Sequence, residues 1–353
     1  MHLICWLQSF PTSQRNFLPG VAYLPTSRKN ATPGTMYVPT SKEKWLSLEF
    51  LLLGARSRPF DLLHNKSNGC FATLKIGYVI LRLLLEALME HITTLSLLIE
   101  PQSPGEHLAW QPFSLGPMLQ SVLMEHVDDD YAAQLHASTF NPYSQYCCVG
   151  DDGELVWRVS ALTDEAAERL IGPASKIDSF TLRNVNETFA VKRRQVDSFG
   201  TDHLLGILKG EAGPSFRVRF ATPTAFKSKG RYAIMPDVRL IFQNLLMHYN
   251  QAYAGDSEID PETLEYLTEH VSITSYNLRS KYFPRTMGRS DKIPAFAGTV
   301  TLRAHGPQSL QGLVAMLLTF GEAAGVGAKT SMGMGGMQLL KEASTRKGGN
   351  VGR

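Results

Sequence analysis

Two groups of residues in this chain have types and spacings suited to chemistry: the single histidine His136, and the eleven-residue segment Gly325-Val326-Gly327-Ala328-Lys329-Thr330-Ser331-Met332-Gly333-Met334-Gly335. A histidine can give or take a proton near neutrality. His136 is one of ten histidines; it closes a helix-period run just after Leu135 and is followed by the polar Ser138 and Thr139. That places it at a helix C-terminus open to solvent, where a protonated imidazole is favoured. Taken alone, such a histidine more often only meets the last carbonyls of its helix, and His126 competes with it upstream. In the glycine segment two Gly-x-Gly pairs are separated by five residues, and Lys329 is the only charge. Glycines so dense imply positive φ or close approach. Exposed N–H groups in such loops bind anions, and a lysine suits phosphate. A nucleotide-binding P-loop is excluded because Ala328 separates Gly327 from Lys329. The plain alternative is a glycine-rich turn closing a hairpin.

The elements that must hold these residues alternate from Met89 onward. Ile92 to Ile99 reads as strand, Met118 to Val127 and Tyr131 to His136 as helix, and Gln145 to Val149 and Leu155 to Ala161 as strands joined by a turn at Asp152-Gly153. Thr163 caps a helix to Ile171, and Ser179 to Leu182 and Thr188 to Val196 are strand-like. That β-α-β-β-α-β order is the ferredoxin-like (RRM-like) unit. An elaborated second pass has a strand at Phe216 to Ala221, a lysine-rich hairpin tip, and helices from Pro236 to about Gln251 and from Pro261 to about His270. Strands at Ser272 to Leu278 and Thr299 to Ala304, a helix at Leu310 to Phe320 and a short apolar run at Met337 to Leu340 complete it. The expected fold is α+β: two tandem ferredoxin-like domains over residues 89–198 and 199–340, with a flexible tail over 341–353. Residues 1–88 form a leader in which Pro11-Thr12-Ser13, Pro25-Thr26-Ser27 and Pro39-Thr40-Ser41 recur every fourteen residues. Such proline-punctuated units bury little apolar surface. Translated tandem-repeat DNA, with Met89 as the true start, accounts for them better.

Composition narrows the partners. At 43% hydrophobic and 19% charged the chain is globular, with a net charge of only +3. From Val271 to Leu340, however, Arg279, Lys281, Arg285, Arg289, Lys292, Arg303 and Lys329 face only Asp291 and Glu322. Such asymmetry suggests a polyanion. Lys227, Lys229 and Arg231 at the hairpin tip, beside Tyr232 and Phe226, suit backbone contact with base stacking, as do Arg279, Lys281 and Arg285 beside Tyr282 and Phe283. Lys192-Arg193-Arg194 reads as an exposed strand end. Cys5, Cys70, Cys147 and Cys148 make neither a CxxC nor a disulfide framework, which fits a reducing cytoplasm. No histidine–carboxylate spacing suits a metal, and Leu74 to Leu88 is too short and too charged to span a bilayer.

Gly-apolar-Gly, five residues with a basic one among them, then Gly-apolar-Gly near the C-terminus resembles the signature of the CRISPR repeat-processing endoribonucleases. These form the sixth Cas family, within the RAMP superfamily. Tyr131-Ala132-Ala133-Gln134-Leu135-His136 with Pro142-Tyr143-Ser144 resembles the segment around that family's histidine. Phe220 to Gly230 resembles the strand and hairpin that open its C-terminal domain. Phe296-Ala297-Gly298 before a strand resembles its Gly-Phe-x-Gly turn, although Ala295 stands where the first glycine is usual. The resemblance covers about Met89 to Leu340. It implies two ferredoxin-like domains and cleavage of precursor RNA within repeats, with no cofactor or metal. The 2′-OH would attack to leave a 2′,3′-cyclic phosphate and a 5′-OH, with His136 transferring a proton. Gly325, Gly327, Lys329, Gly333 and Gly335 would contact the RNA. The implied partners are CRISPR repeat RNA, as precursor and guide, with a Cas interference complex and a second copy of the chain as further candidates. The family often adds a tyrosine on the first helix and a lysine soon after the histidine. This chain has neither, so Tyr131, Ser144, Tyr143 or a C-terminal basic residue is left as the second group. The competing classes are a non-catalytic RNA-binding RAMP subunit and a cyclase-type enzyme. The latter is disfavoured because Asp151-Asp152 runs into a tight turn at Gly153-Glu154.

Overall fold

The computed structural model describes residues 90–103, 111–150, 152–255, 257–285 and 291–340; the leader 1–88, the candidate start Met89 and the tail 341–353 lie outside them. The first unit begins with β1 (His91–Pro101), whose Leu95, Leu97 and Ile99 are buried at alternate positions. A 3₁₀ turn (Pro112–Leu115) leads into α1 (Gly116–Glu125), then α2 (Asp129–Ala137). Asp128 starts α2 by accepting the Tyr131 N–H, and Asp129 and Asp130 add charge that suits its N-terminus. β2 (Tyr143–Val149) and β3 (Leu155–Ala161) form the expected hairpin. Thr163 caps the next helical run, in which Asp164–Ala166 and Gly172–Ala174 flank a π-helical turn Ala167–Ile171; the run is α3. β4 (Ser179–Leu182) and β5 (Glu187–Gly200) complete a sheet ordered β2-β3-β1-β5-β4. Four of these strands have the ferredoxin-like arrangement, and β4 is an added edge.

Helix α4 (Thr201–Lys209), which the sequence reading omitted, packs Leu204 and Leu208 into the second core. The second unit continues with β6 (Ser215–Thr224), the small hairpin β7 (Phe226–Ser228) and β8 (Arg231–Ala233), α5 (Val238–Tyr253) and α6 (Pro261–His270). β9 (Val271–Pro284), β10 (Lys292–Ala304), α7 (Gln308–Ala324) and β11 (Met337–Leu340) follow, giving a sheet ordered β11-β6-β10-β9. This is the ferredoxin-like order again, and its core includes Val218, Phe220, Phe242, Phe296, Val300, Leu317 and Phe320.

Two expectations about the β9–β10 hairpin need correction. Both strands run further than Ser272 to Leu278 and Thr299 to Ala304: the outer half of β9 is mostly polar and exposed and lacks apolar alternation, whereas that of β10 buries Ile293, Ala295 and Phe296 but is punctuated by Pro294 and Gly298. Phe296-Ala297-Gly298 is therefore a bulge within β10, not a turn before it: its register against β6 shifts there, and Gly298 has φ 134°. Among the described residues no helix is long and apolar enough to cross a membrane.

Candidate active site

His136 stands exposed in the last turn of α2 and lines a cleft of about 360 Å3 with Gln120, Ser121, Met124 and Glu125 of α1. These four belong to the outer side of α1, whose other side buries Leu119, Val122 and Leu123. The Gln120 amide donates to the Tyr143 hydroxyl at 3.3 Å, and the Ser121 hydroxyl donates back to the Pro117 carbonyl at 3.3 Å. Glu125 Oε1 lies 3.7 Å from Nη2 of Arg183, in the turn after β4. His126 has the ordinary role of a helix-terminal histidine, with Nδ1 2.8 Å from the Val122 carbonyl of its own last turn. The imidazole of His136 makes no such bond among the described residues.

The proposed companions of His136 lie elsewhere. Tyr131 is five positions earlier on α2, which turns it about 140° around the helix. It is only 2% exposed, under the Arg169 guanidinium at 5.1 Å, and burial pushes its phenol up to about 12. The Ser144 hydroxyl is buried and donates to the Ala323 carbonyl at the end of α7. Tyr143 is buried too, burial raises its phenol, and it reaches the cleft only through Gln120.

The glycine segment has a different construction from an open anion cradle. Gly325, Gly327, Gly333 and Gly335 do adopt φ of 68°, 92°, 102° and 69°, and Lys329 is left-handed at 61°. However, the N–H groups of Val326, Ala328, Met332, Gly333, Met334 and Gly335 donate to carbonyls of Gly335, Ala225, Lys329, Thr330, Lys329 and Pro223. The Gly327 N–H donates to the Asn244 side chain at 2.6 Å and that of Gly336 to Thr222 at 2.9 Å. Those donors are committed inside the protein, so Gly325, Gly327, Gly333 and Gly335 work chiefly as a fold device. A Cβ on Gly333 would lie 2.8 Å from Gly116 Cα at the start of α1. Buried Gln145 ties the same junction: Nε2 donates to the carbonyls of Gly116 at 2.9 Å and Ser331 at 3.2 Å, and Trp157 donates to Oε1. Gly116, Gln120 and Met124, spaced by four, share one face of α1. The loop thus sits about 6 to 12 Å along α1 from the residues that line the His136 cleft. Lys329 is half-buried, its ammonium 3.4 Å from the Met332 sulfur.

The basic candidates separate by environment. Lys227, Lys229 and Arg231 occupy the β7–β8 hairpin, with Lys229 and Gly230 at φ 47° and 76° at its tip. Arg285 pairs with Asp291 at 3.1 Å and donates to the Tyr232 hydroxyl, and Lys281 lies 5.9 Å over the Phe113 ring. Sequence reasoning missed Arg217 and Arg219. They align through Thr301 and Thr299 with Ser275 and Asn277, on the sheet face that also carries Arg279 and Lys281. The alternation Phe216-Arg217-Val218-Arg219-Phe220 was the available signal. Lys192, Arg193 and Arg194 instead pair with Glu100, Glu154 and Asp178.

Two tandem ferredoxin-like units therefore carry an exposed histidine in a small cleft and a sheet face lined with basic side chains. The family model described as CRISPR-associated endoribonuclease Cas6 matches residues 218–337. The chain is 39% identical over 218 residues to a CRISPR-associated endoribonuclease Cas6 of Streptococcus thermophilus, covering 62% of this chain and 88% of that protein. It is 34% identical over 261 residues to the Mycobacterium tuberculosis (strain CDC 1551 / Oshkosh) protein of the same description, covering 73% and 81%. Among solved structures, a Cas6 product complex superposes with TM-score 0.57 at 23% identity, covering 71% of this chain and all of that one. Thermus thermophilus Cas6 superposes with TM-score 0.53 at 23% identity, covering 71% and 99%. The chain belongs to the CRISPR-associated endoribonuclease Cas6 family.

Proposed function

We propose that this chain is the endoribonuclease that cuts CRISPR precursor RNA within each repeat to release guide RNAs, without a metal, by attack of the 2′-OH on the adjacent phosphate. The products are a 2′,3′-cyclic phosphate and a 5′-OH. The observation that carries the reading is the exposed, unengaged imidazole of His136 in a cleft beside α1, within a chain of this family. The cleft supplies proton transfer, and the unpaired cations of the second unit hold the RNA backbone. Lys227, Lys229, Arg231, Arg279 and Lys281 fit that second task, joined by Arg217 and Arg219. Lys329 joins them as a half-buried ammonium with no carboxylate beside it among the described residues.

The test is incubation with repeat RNA in EDTA, comparing wild type with His136→Ala. Cleavage in EDTA that vanishes in the variant, with a terminal cyclic phosphate on the upstream product, is the expected result. Tight binding without a cut points instead to a non-catalytic RNA-binding subunit, and loss of wild-type cleavage in EDTA removes the metal-independent mechanism.

A further inference from the structure

Cleavage by 2′-OH attack needs three things: a base for the 2′ proton, an acid for the 5′ oxygen, and positive charge near the phosphorane. His136 supplies one. Tyr131, Tyr143 and Ser144 cannot readily supply a second, since all three are buried outside the cleft. The other residues lining the cleft are Gln120, Ser121, Met124 and Glu125. Of these only Glu125 has a carboxylate that can serve as a Brønsted base. Its position is odd for a purely structural residue. It ends α1, where the helix dipole disfavours a carboxylate. What faces it there is Arg183, at 3.7 Å, with 83% of its side chain exposed and free to swing toward a bound phosphate. The neighbouring charges are otherwise engaged: His126 turns to the Val122 carbonyl, and Asp128 pairs with Arg169 at 3.2 Å.

Building on the site proposed above, we infer that Glu125 is the second proton-transfer group and that Arg183 is the cation that steadies the phosphorane. The Glu125 carboxylate takes the proton of the 2′-OH as O2′ bonds to phosphorus. The P–O5′ bond breaks, and O5′ takes a proton from the His136 imidazolium. Glu125 finishes protonated and His136 neutral, and exchange of one proton each with water restores them. The Gln120 amide, oriented by the Tyr143 hydroxyl, keeps that side of the cleft uncharged.

The experiment uses the whole chain under single-turnover conditions with two repeat RNAs. One is ordinary; the other has sulfur in place of the bridging 5′ oxygen, whose thiolate leaves without protonation. Glu125→Gln should slow the ordinary RNA by about 100-fold or more with RNA affinity unchanged, and should erase the acid-side limb of the pH–rate profile. Sulfur should restore His136→Ala toward the wild-type rate and leave Glu125→Gln slow. Arg183→Ala should lose about 10-fold or more, partly recovered by Arg183→Lys. A Glu125→Gln enzyme with wild-type rate and an intact acid limb overturns the inference while leaving His136 in its role. Rescue of Glu125→Gln by sulfur overturns the assignment of base and acid. Full activity of His136→Ala on both RNAs removes the site itself.

Discussion

The two ferredoxin-like units share a strand order but handle charge in opposite ways. Of eight ion pairs among described residues, seven lie within the first unit, including all of Lys192, Arg193 and Arg194. Among the described residues the second unit shows Arg285 with Asp291, and no carboxylate pairs with the cations of the β7–β8 hairpin or of the open sheet face. A unit that neutralises itself can present a small polar cleft without attracting RNA indiscriminately. A unit that does not is a ready polyanion surface. On the function proposed above, one fold used twice separates cutting from holding, and the glycine loop packs against the start of α1 between them.

The sharpest way to break that separation is at His136. His136→Ala should lower the single-turnover rate by about 100- to 10,000-fold while RNA affinity stays within a few-fold, measured by filter binding. A matching loss of affinity would mean that the first unit also holds the RNA. Next in size is the joint between units. Gly333→Ala forces a Cβ against Gly116 at a φ of 102°, so stability should fall by about 3 kcal/mol, seen as a lower Tm. Gly153→Ala, at φ 82° with open space around it, should cost about 1 kcal/mol. Equal losses would mean that the loop does not carry the joint.

The joint also has a pH signature. His248 on α5 is half-buried beside Phe140, at 5.8 Å between ring centroids, in the segment that follows His136. Asn244 accepts the Gly327 N–H, so its amide nitrogen faces His248 Nε2 at 3.4 Å, and Nδ1 keeps the proton with no partner. Burial lowers this imidazole from 6.5 to about 4. The unfolded chain therefore binds the extra proton first. The stability it contributes is present above pH 6.5 and is lost as pH falls toward 4, on the order of 3 kcal/mol in all. His248→Phe should flatten the dependence of Tm on pH in that window. An unchanged slope would assign the acid sensitivity to carboxylates elsewhere.

How much of this was legible in sequence depends on whether the signal is local. β1, α2, the β2–β3 hairpin and the Thr163 cap were legible because period and capping are properties of neighbouring residues. Helix α4 was not: it is short, and tertiary packing of Leu204 and Leu208 does most to define it. The positive φ of the loop glycines followed from their density. The destination of their N–H groups did not, because Pro223, Ala225 and Asn244 come from distant segments. His136 was legible through its motif, whereas the approach of Arg183 to Glu125 exists only once β4 packs near α1.

The smallest expected effects distinguish the cations themselves. Each phosphate of a single-stranded RNA that no longer meets a protein cation should reduce the slope of log affinity against log salt by about 0.7. Arg217→Ala and Arg219→Ala should each produce that change with a few-fold loss of affinity, as should Lys227→Ala, since none of the three has an ion pair among the described residues. Arg193→Ala removes a cation already 3.7 Å from Glu154 and should leave the slope unchanged. The discriminating quantity is the slope, because a variant that merely loosened the fold would weaken binding at every salt concentration alike. If Arg193→Ala lowers it as much as Arg217→Ala does, then RNA also crosses the paired face of the first unit, and self-neutralisation there is no barrier to binding.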